Sequence, residues 1–267
     1  MENRQYALVT GASSGIGLAL GRELARRGYP LLIVSNEEKI SFVAGEIQSE
    51  FGVKVIPLCM DLARPNSAEK LFEYCEGNSL QFEILVNNAG IFFFRDVNET
   101  PISLIEKTIN LHVLTPTLLT RLFAGQMINE NSENRQCYIL NIASIAAWMM
   151  MPGIALYSAT KSYLRCFSRA MRNEVYGKNI SITTICPGAV ATGLYGLKPR
   201  YMKLGLRFGI IITPEKLAAK AVKKMFAKKS EYIPGGLLNR LFIFIVRSLP
   251  EPFVRFVKRK IDRRRSG

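Results

Sequence analysis

Short apolar runs alternate with amphipathic stretches along most of this chain. The runs lie near 6–10, 30–35, 53–59, 83–87, 136–143 and 180–186, with a brief one near 231–233. Between them, apolar positions recur at helical spacing near 15–28, 37–51, 66–77, 101–129, 156–176 and 213–228. Strands alternating with helices predict an α/β fold, a doubly wound parallel sheet with helices on both faces. No internal repeat or composition break interrupts the pattern before residue 236, so residues 1–236 read as one domain.

Gly235-Gly236 is the clear punctuation, and residues 237–267 read as a C-terminal extension. Its first part, Leu237 to Arg247, is strongly apolar but interrupted by Arg240 and Arg247. The uncharged stretch Leu241 to Val246 is far too short to span a bilayer. Beyond Pro250 and Pro252, the residues Phe253, Val254, Phe256, Val257 and Ile261 mark one helical face. Arg255, Lys258, Arg259, Asp262 and Arg263 fall largely on the other.

Charge sharpens that division. The formal net charge is +15, yet residues 1–197 hold 17 Lys/Arg against 17 Asp/Glu, whereas residues 198–267 hold 19 against 4. A basic, amphipathic tail fits a helix lying in an anionic membrane interface. Packing of the tail on the protein's own core is the competing reading. Nucleic acid is not expected as a partner, because the basic residues alternate with bulky apolar ones that need burial.

The 267 residues suffice for one large α/β domain. Cys59, Cys75, Cys137, Cys166 and Cys186 are scattered, odd in number and without a C-x-x-C, as in the reduced core of an intracellular protein. The short polar lead before Tyr6 does not resemble a secretory leader. A cytoplasmic location is expected, peripheral on the inner face of a membrane if the tail binds lipid. A homo-oligomer is expected.

Two local patterns carry chemistry. Thr10-Gly11-Ala12-Ser13-Ser14-Gly15-Ile16-Gly17 joins an apolar run to a helical one. In that context the glycines let a pyrophosphate approach the backbone, at unpaired N–H groups and the positive end of a helix. Further on, Tyr157 and Lys161 stand four apart, one turn along a helix, thirteen residues after Ser144. An ammonium beside a phenol favours the phenolate, so the tyrosine can exchange a proton with an alcohol or ketone. Ser144 follows the run 136–143, at the carboxyl edge of the sheet, where its hydroxyl can hydrogen-bond a substrate oxygen. His112, the single histidine, has no partner cluster and reads as a packing or interface residue, so no metal site is expected.

With these patterns in order, the chain resembles the short-chain dehydrogenase/reductase family over residues 5 to about 233. T-G-x-x-x-G-x-G is matched by Thr10, Gly11, Gly15 and Gly17, and N-N-A-G by Asn87-Asn88-Ala89-Gly90. P-G-x-x-x-T is matched by Pro187, Gly188 and Thr192. The resemblance implies a Rossmann fold and an NAD(P)-dependent oxidoreductase acting on a ketone or secondary alcohol. It implies Asn110, Ser144, Tyr157 and Lys161 as catalytic residues. Asn110 would join a water-linked relay to Lys161, or alternatively mark a kink near Pro116. The implied cofactor residues are Gly11, Ser13, Ser14, Gly15, Ile16, Gly17, Asn36, Asp61, Asn87, Ala89, Gly90, Tyr157, Lys161, Pro187, Gly188, Val190 and Thr192. Lys161 would bond the nicotinamide ribose and Asn87 border the adenine ribose. Asp61 would contact the adenine or cap a helix.

The second strand ends in Ser35-Asn36, where NAD enzymes carry an acid and NADP enzymes a base. Loss of the acid inclines the reading to NADP over NAD. Against this stand Glu37, Glu38, and a serine, Ser14, where some NADP-dependent members carry arginine. Phe92-Phe93-Phe94, Trp148-Met149-Met150-Met151, and Leu194, Tyr195 and Leu197 cluster in sequence near the implied site. They predict a hydrophobic substrate, such as a 3-oxoacyl lipid, ketosphingoid base or steroid. A reductase of small polar carbonyls and a non-catalytic cofactor-binding protein are the rivals.

Overall fold

The structure is a computed structural model, and it describes residues 4–129, 135–192 and 211–265. Seven strands form one sheet: β1 (Tyr6–Thr10), β2 (Leu31–Ser35), β3 (Val55–Cys59), β4 (Phe82–Asn87), β5 (Cys137–Ile142), β6 (Ile180–Ile185) and β7 (Glu231–Tyr232). Their order is β3-β2-β1-β4-β5-β6-β7, and every neighbouring pair is parallel. The order reverses between β1 and β4, which opens a crevice at their carboxyl ends.

Helices α1 (Gly15–Arg26), α2 (Ile40–Phe51), α3 (Ser67–Gly77), α4 (Ile102–Ile109), α5 (Thr115–Asn129), α6 (Ala155–Glu174) and α7 (Pro214–Phe226) supply the crossovers. Parallel strands covered on both faces are largely apolar, and β2, β4 and β6 are buried at every position. One face packs Leu20, Leu24, Ile47, Val222 and Met225 against the sheet. The other packs Leu71, Leu119, Phe123 and Met127, with Phe123 meeting the rings of Phe72 and Phe82 edge-on at 5.2 and 5.1 Å.

The single helix predicted over 101–129 is broken. A π turn, Asn110–Leu114, separates α4 from α5, and the Thr115 N–H reaches back five residues to the Asn110 carbonyl. Pro116 has no N–H to offer the His112 carbonyl, so the regular ladder cannot continue there. The prolyl kink anticipated beside Asn110 is thus a π turn.

Two helices close the chain, α8 (Gly236–Arg247) and α9 (Glu251–Arg265). Ile243 and Val246 of α8 turn inward, while Leu241, Phe242, Phe244 and Ile245 are exposed. Asn239 donates to the Pro234 carbonyl at 2.5 Å, and a Cβ on Gly188 would lie 3.3 Å from its amide nitrogen. One face of α8 therefore packs on the domain, as the competing reading of the tail required, and the other does not. Lys258 of α9 pairs with Asp96 in the segment after β4. Among the described residues, no helix is long and apolar enough to cross a membrane.

Candidate active site

A cavity of about 1040 Å³ runs along the carboxyl edge of the sheet from the glycine turn to Tyr157. Thr10 and Asn88 tie its floor together across β1 and β4. The Thr10 hydroxyl accepts from the backbone N–H groups of Asn88 and Ala89 at 3.0 and 3.1 Å. The Asn88 amide donates to the carbonyls of Thr10 and Gly11 at 2.9 and 3.1 Å. Gly11 has φ +65°, and a Cβ on it would sit 2.8 Å from the Ala89 Cα. A Cβ on Gly17 would collide with the Gly11 carbonyl and the Asn88 amide.

Ser14 caps α1 in extended conformation without a side-chain hydrogen bond to the helix. Ser14, Gly15 and Ile16 line the cavity where the first turn of α1 begins. A backbone this close, at the positive end of a twelve-residue helix, fits a dinucleotide pyrophosphate.

At the end of β2 the cavity is lined by Ser35, Asn36 and Glu37. Ser13 donates to the Glu37 carboxylate, Ser35 lies 2.9 Å from Ser13, and Lys39 pairs with Glu37 at 3.0 Å. The Ser13 hydrogen bond, then Lys39, holds the Glu37 carboxyl below its ordinary range. Asp61 lines the cavity and accepts from the Ala63 N–H at 3.0 Å, and it does not cap α3, whose N-cap is Asn66.

At the opposite end, Ser144 caps a short turn (Ile145–Trp148), its hydroxyl oxygen accepting from the Ala146 N–H at 3.1 Å. Accepting leaves the hydroxyl hydrogen for another acceptor. Tyr157 and Lys161 lie on the buried face of α6, with the Lys161 Nζ 5.8 Å from the Tyr157 ring centroid. Lys161 is 5% exposed and donates to the Ile142 carbonyl at 2.9 Å. Burial lowers its pKa to about 8. Phe92 meets the Tyr157 ring edge-on at 5.0 Å.

Gly11, Ser13, Ser14, Gly15, Ile16, Asn36, Asp61, Ala89, Gly90, Ser144, Tyr157, Lys161, Pro187 and Thr192 all line this one cavity. Gly17 lies just behind it. Four anticipated residues are placed elsewhere. Asn87 is buried at the end of β4 and donates to Asn141 at 2.8 Å and Thr120 at 3.2 Å, so Asn88 takes the cavity wall instead. Asn110 opens the π turn, and its amide donates to the Ala63 carbonyl at 3.2 Å. Gly188 lies under Asn239 and Ile145, and Val190 is buried in a bridge to Ile212. Trp148 carries the Arg165 guanidinium 4.2 Å above its ring and does not line the cavity, while Phe94 fills the space over Gly153. Leu194, Tyr195 and Leu197 lie outside the described residues.

Sequence reasoning missed Asn88, Ile91, Lys107 and Leu111 in the wall, and the setting of His112. The break at Pro116 was the one signal that the faces of 101–129 would shift.

The cavity joins a dinucleotide-sized cradle at one end to a tyrosine–lysine pair at the other. The chain belongs to the short chain dehydrogenase family, whose description residues 5–200 match. It is 35% identical over 206 residues to a very-long-chain 3-oxoacyl-CoA reductase of Anas platyrhynchos, covering 74% of this chain and 64% of that one. It is 30% identical to the protein of that name from Macaca fascicularis, covering 92% of this chain and 76% of that one. The chain therefore spans just under two thirds of the duck relative's length and about three quarters of the macaque's. Among solved structures, L-sorbose reductase of Gluconobacter frateurii, complexed with NADPH and L-sorbose, superposes with a TM-score of 0.76 at 26% identity. That match covers 87% of this chain and 95% of the other.

Proposed function

We propose that this protein reduces the keto group of a hydrophobic, lipid-like substrate, with 3-oxoacyl thioesters the leading class, using NADP(H) in preference to NAD(H). The observation that carries the reading is the convergence of Ser144, Tyr157 and Lys161 at one end of a dinucleotide-sized cavity, with the apolar Ile91 in its wall and Phe92 on Tyr157. The names of the mammalian and avian relatives support the substrate class. For the cofactor, the support is the uncharged Asn36 at the end of β2, and a Glu37 carboxylate already engaged by Ser13 and Lys39. Bound, the nicotinamide supplies hydride to the carbonyl carbon.

The chain's own residues do the rest. Tyr157 donates the phenol proton to the carbonyl oxygen as negative charge develops there. Ser144, accepting from Ala146 with its hydrogen free to donate, holds that oxygen in place. Lys161, desolvated beside the tyrosine, supplies the positive field that favours the phenolate after transfer. Asn110 acts at a distance, anchoring the π turn through Ala63. The reading predicts kcat/KM rising with acyl length across 3-oxoacyl substrates in an NADPH-oxidation assay. Preference for a small polar ketone would overturn it.

We further propose that the C-terminal helices rest on an anionic membrane surface. Phe242, Phe244, Phe253 and Phe256 are exposed beside Arg240, Arg247, Arg255 and Arg259, which pairs buried apolar area with positive charge. A second copy of the chain is the partner proposed for the α5–α6 side. There Leu114 and Tyr163 are exposed and Tyr163 stacks on Phe167 at 5.9 Å.

A further inference from the structure

His112 lies in the π turn, 1% exposed, between α6 and the segment that follows β4. The Ile91 backbone N–H donates to its Nε2 at 2.9 Å. Its Nδ1 is 3.0 Å from the Thr160 hydroxyl, and that hydroxyl donates to the Tyr157 carbonyl at 2.9 Å. A neutral imidazole has one donor and one acceptor nitrogen. Because the Ile91 N–H fills Nε2, the proton sits on Nδ1 and Thr160 receives it. The direction of all three bonds is thereby fixed: Ile91 to His112, His112 to Thr160, Thr160 to Tyr157.

The ring touches both sides of the site as well. Its centroid is 5.8 Å from that of Tyr157, edge-on. A Cβ on Gly90 would stand 3.0 Å from Nε2. Gly90 and Ile91 line the same cavity as Tyr157.

We infer that His112 is a positioning residue for this reaction, clamping the Tyr157 turn of α6 to the Gly90–Ile91 backbone so that the proton donor and that part of the cavity wall keep one spacing. The inference rests on the reading of Tyr157 as proton donor. Burial, reinforced by the Lys161 ammonium, holds the imidazole pKa well below its ordinary value, so the neutral form that the three bonds require persists at neutral pH. A doubly protonated ring would turn a second N–H against the Ile91 N–H and open the clamp.

Three substitutions in the full chain separate the arms of the clamp. Phenylalanine keeps the ring and loses both bonds. Asparagine can place an amide N–H near the Nδ1 position, and glutamine a carbonyl near Nε2. The readouts are kcat, the NADPH dissociation constant by fluorescence titration, and the isotope effect on kcat with deuterated NADPH, each per folded protein. Misplacement of a reacting group by about 1 Å costs up to ~10²-fold in rate, so His112→Phe should lower kcat by about tenfold to a hundredfold and raise the isotope effect. NADPH affinity should stay within about threefold, since no bond to the glycine turn is touched. His112→Asn, which keeps the bond to Thr160, should recover more of kcat than His112→Gln. Should His112→Phe fail to fold, the Asn and Gln pair alone decides by that ranking. Wild-type kcat and isotope effect in His112→Phe, or equal losses in Asn and Gln, would overturn the inference. Tyr157→Phe in the same assay tells the two readings apart: if it stays active, the proton-donor role is what failed.

Discussion

Lys161 shows how position changes the chemistry of an ordinary side chain. An ammonium that is 5% exposed has lost most of its hydration, and its pKa falls to about 8. With its pKa lowered, Lys161 carries its charge below about 8 and loses it above. Whatever cofactor affinity draws on that charge should weaken as pH climbs through about 8. NADPH titrations from neutral pH to above that value test this, and a constant affinity would show that Lys161 gives no charge to the cofactor. Tyr157, Lys161 and Ser144 were legible in the sequence because their spacing survives in one helix and one strand end. Asn87 was not, because its direction depends on Asn141, brought alongside from β5 by the sheet. His112 was read as packing because its partners, Ile91 and Thr160, lie 21 and 48 residues away.

At the scale of elements, the strand–helix alternation and the glycine turn gave the sheet and its crevice, since both depend on local pattern. The π turn was hidden. Pro116 signals a break in a helix but not which face each residue takes afterwards, and Asn110 and His112 moved with it. The β2 end is a cleaner case. Asn36 lines the cavity next to Glu37, whose carboxylate is already held by Ser13 and Lys39. A second carboxylate there would repel a 2′-phosphate and bind free ribose hydroxyls. Asn36→Asp should therefore shift kcat/KM toward NAD by about tenfold or more, the worth of roughly one good charge-assisted contact. An unchanged ratio of the two cofactors would place the 2′-position away from β2.

Over the whole molecule, charge is partitioned: the excess of 15 positive charges falls within residues 198–267. The composition foresaw that basic tail. It did not show that α8 would be half docked, because Ile243 and Val246 find their partners only in the folded domain. Substituting serine for both Phe244 and Phe253, which are exposed, should leave the fold and turnover of a water-soluble ketone intact. It should also release the protein from anionic vesicles in a sedimentation assay. Binding of the unsubstituted chain should weaken as salt screens the arginines. A full-length protein that stays in the supernatant at low salt would refute membrane contact.

We propose that this cavity performs proton and hydride transfer to a ketone with Tyr157 as the acid. This is tested most directly by NADPH oxidation with a long-chain 3-oxoacyl thioester, comparing wild type with Tyr157→Phe while measuring NADPH affinity in both. Tyr157→Phe should lose at least about 10²-fold in rate with cofactor affinity within about threefold, because only the proton-bearing oxygen is removed. A Tyr157→Phe enzyme that keeps more than about a tenth of the wild-type rate would contradict it.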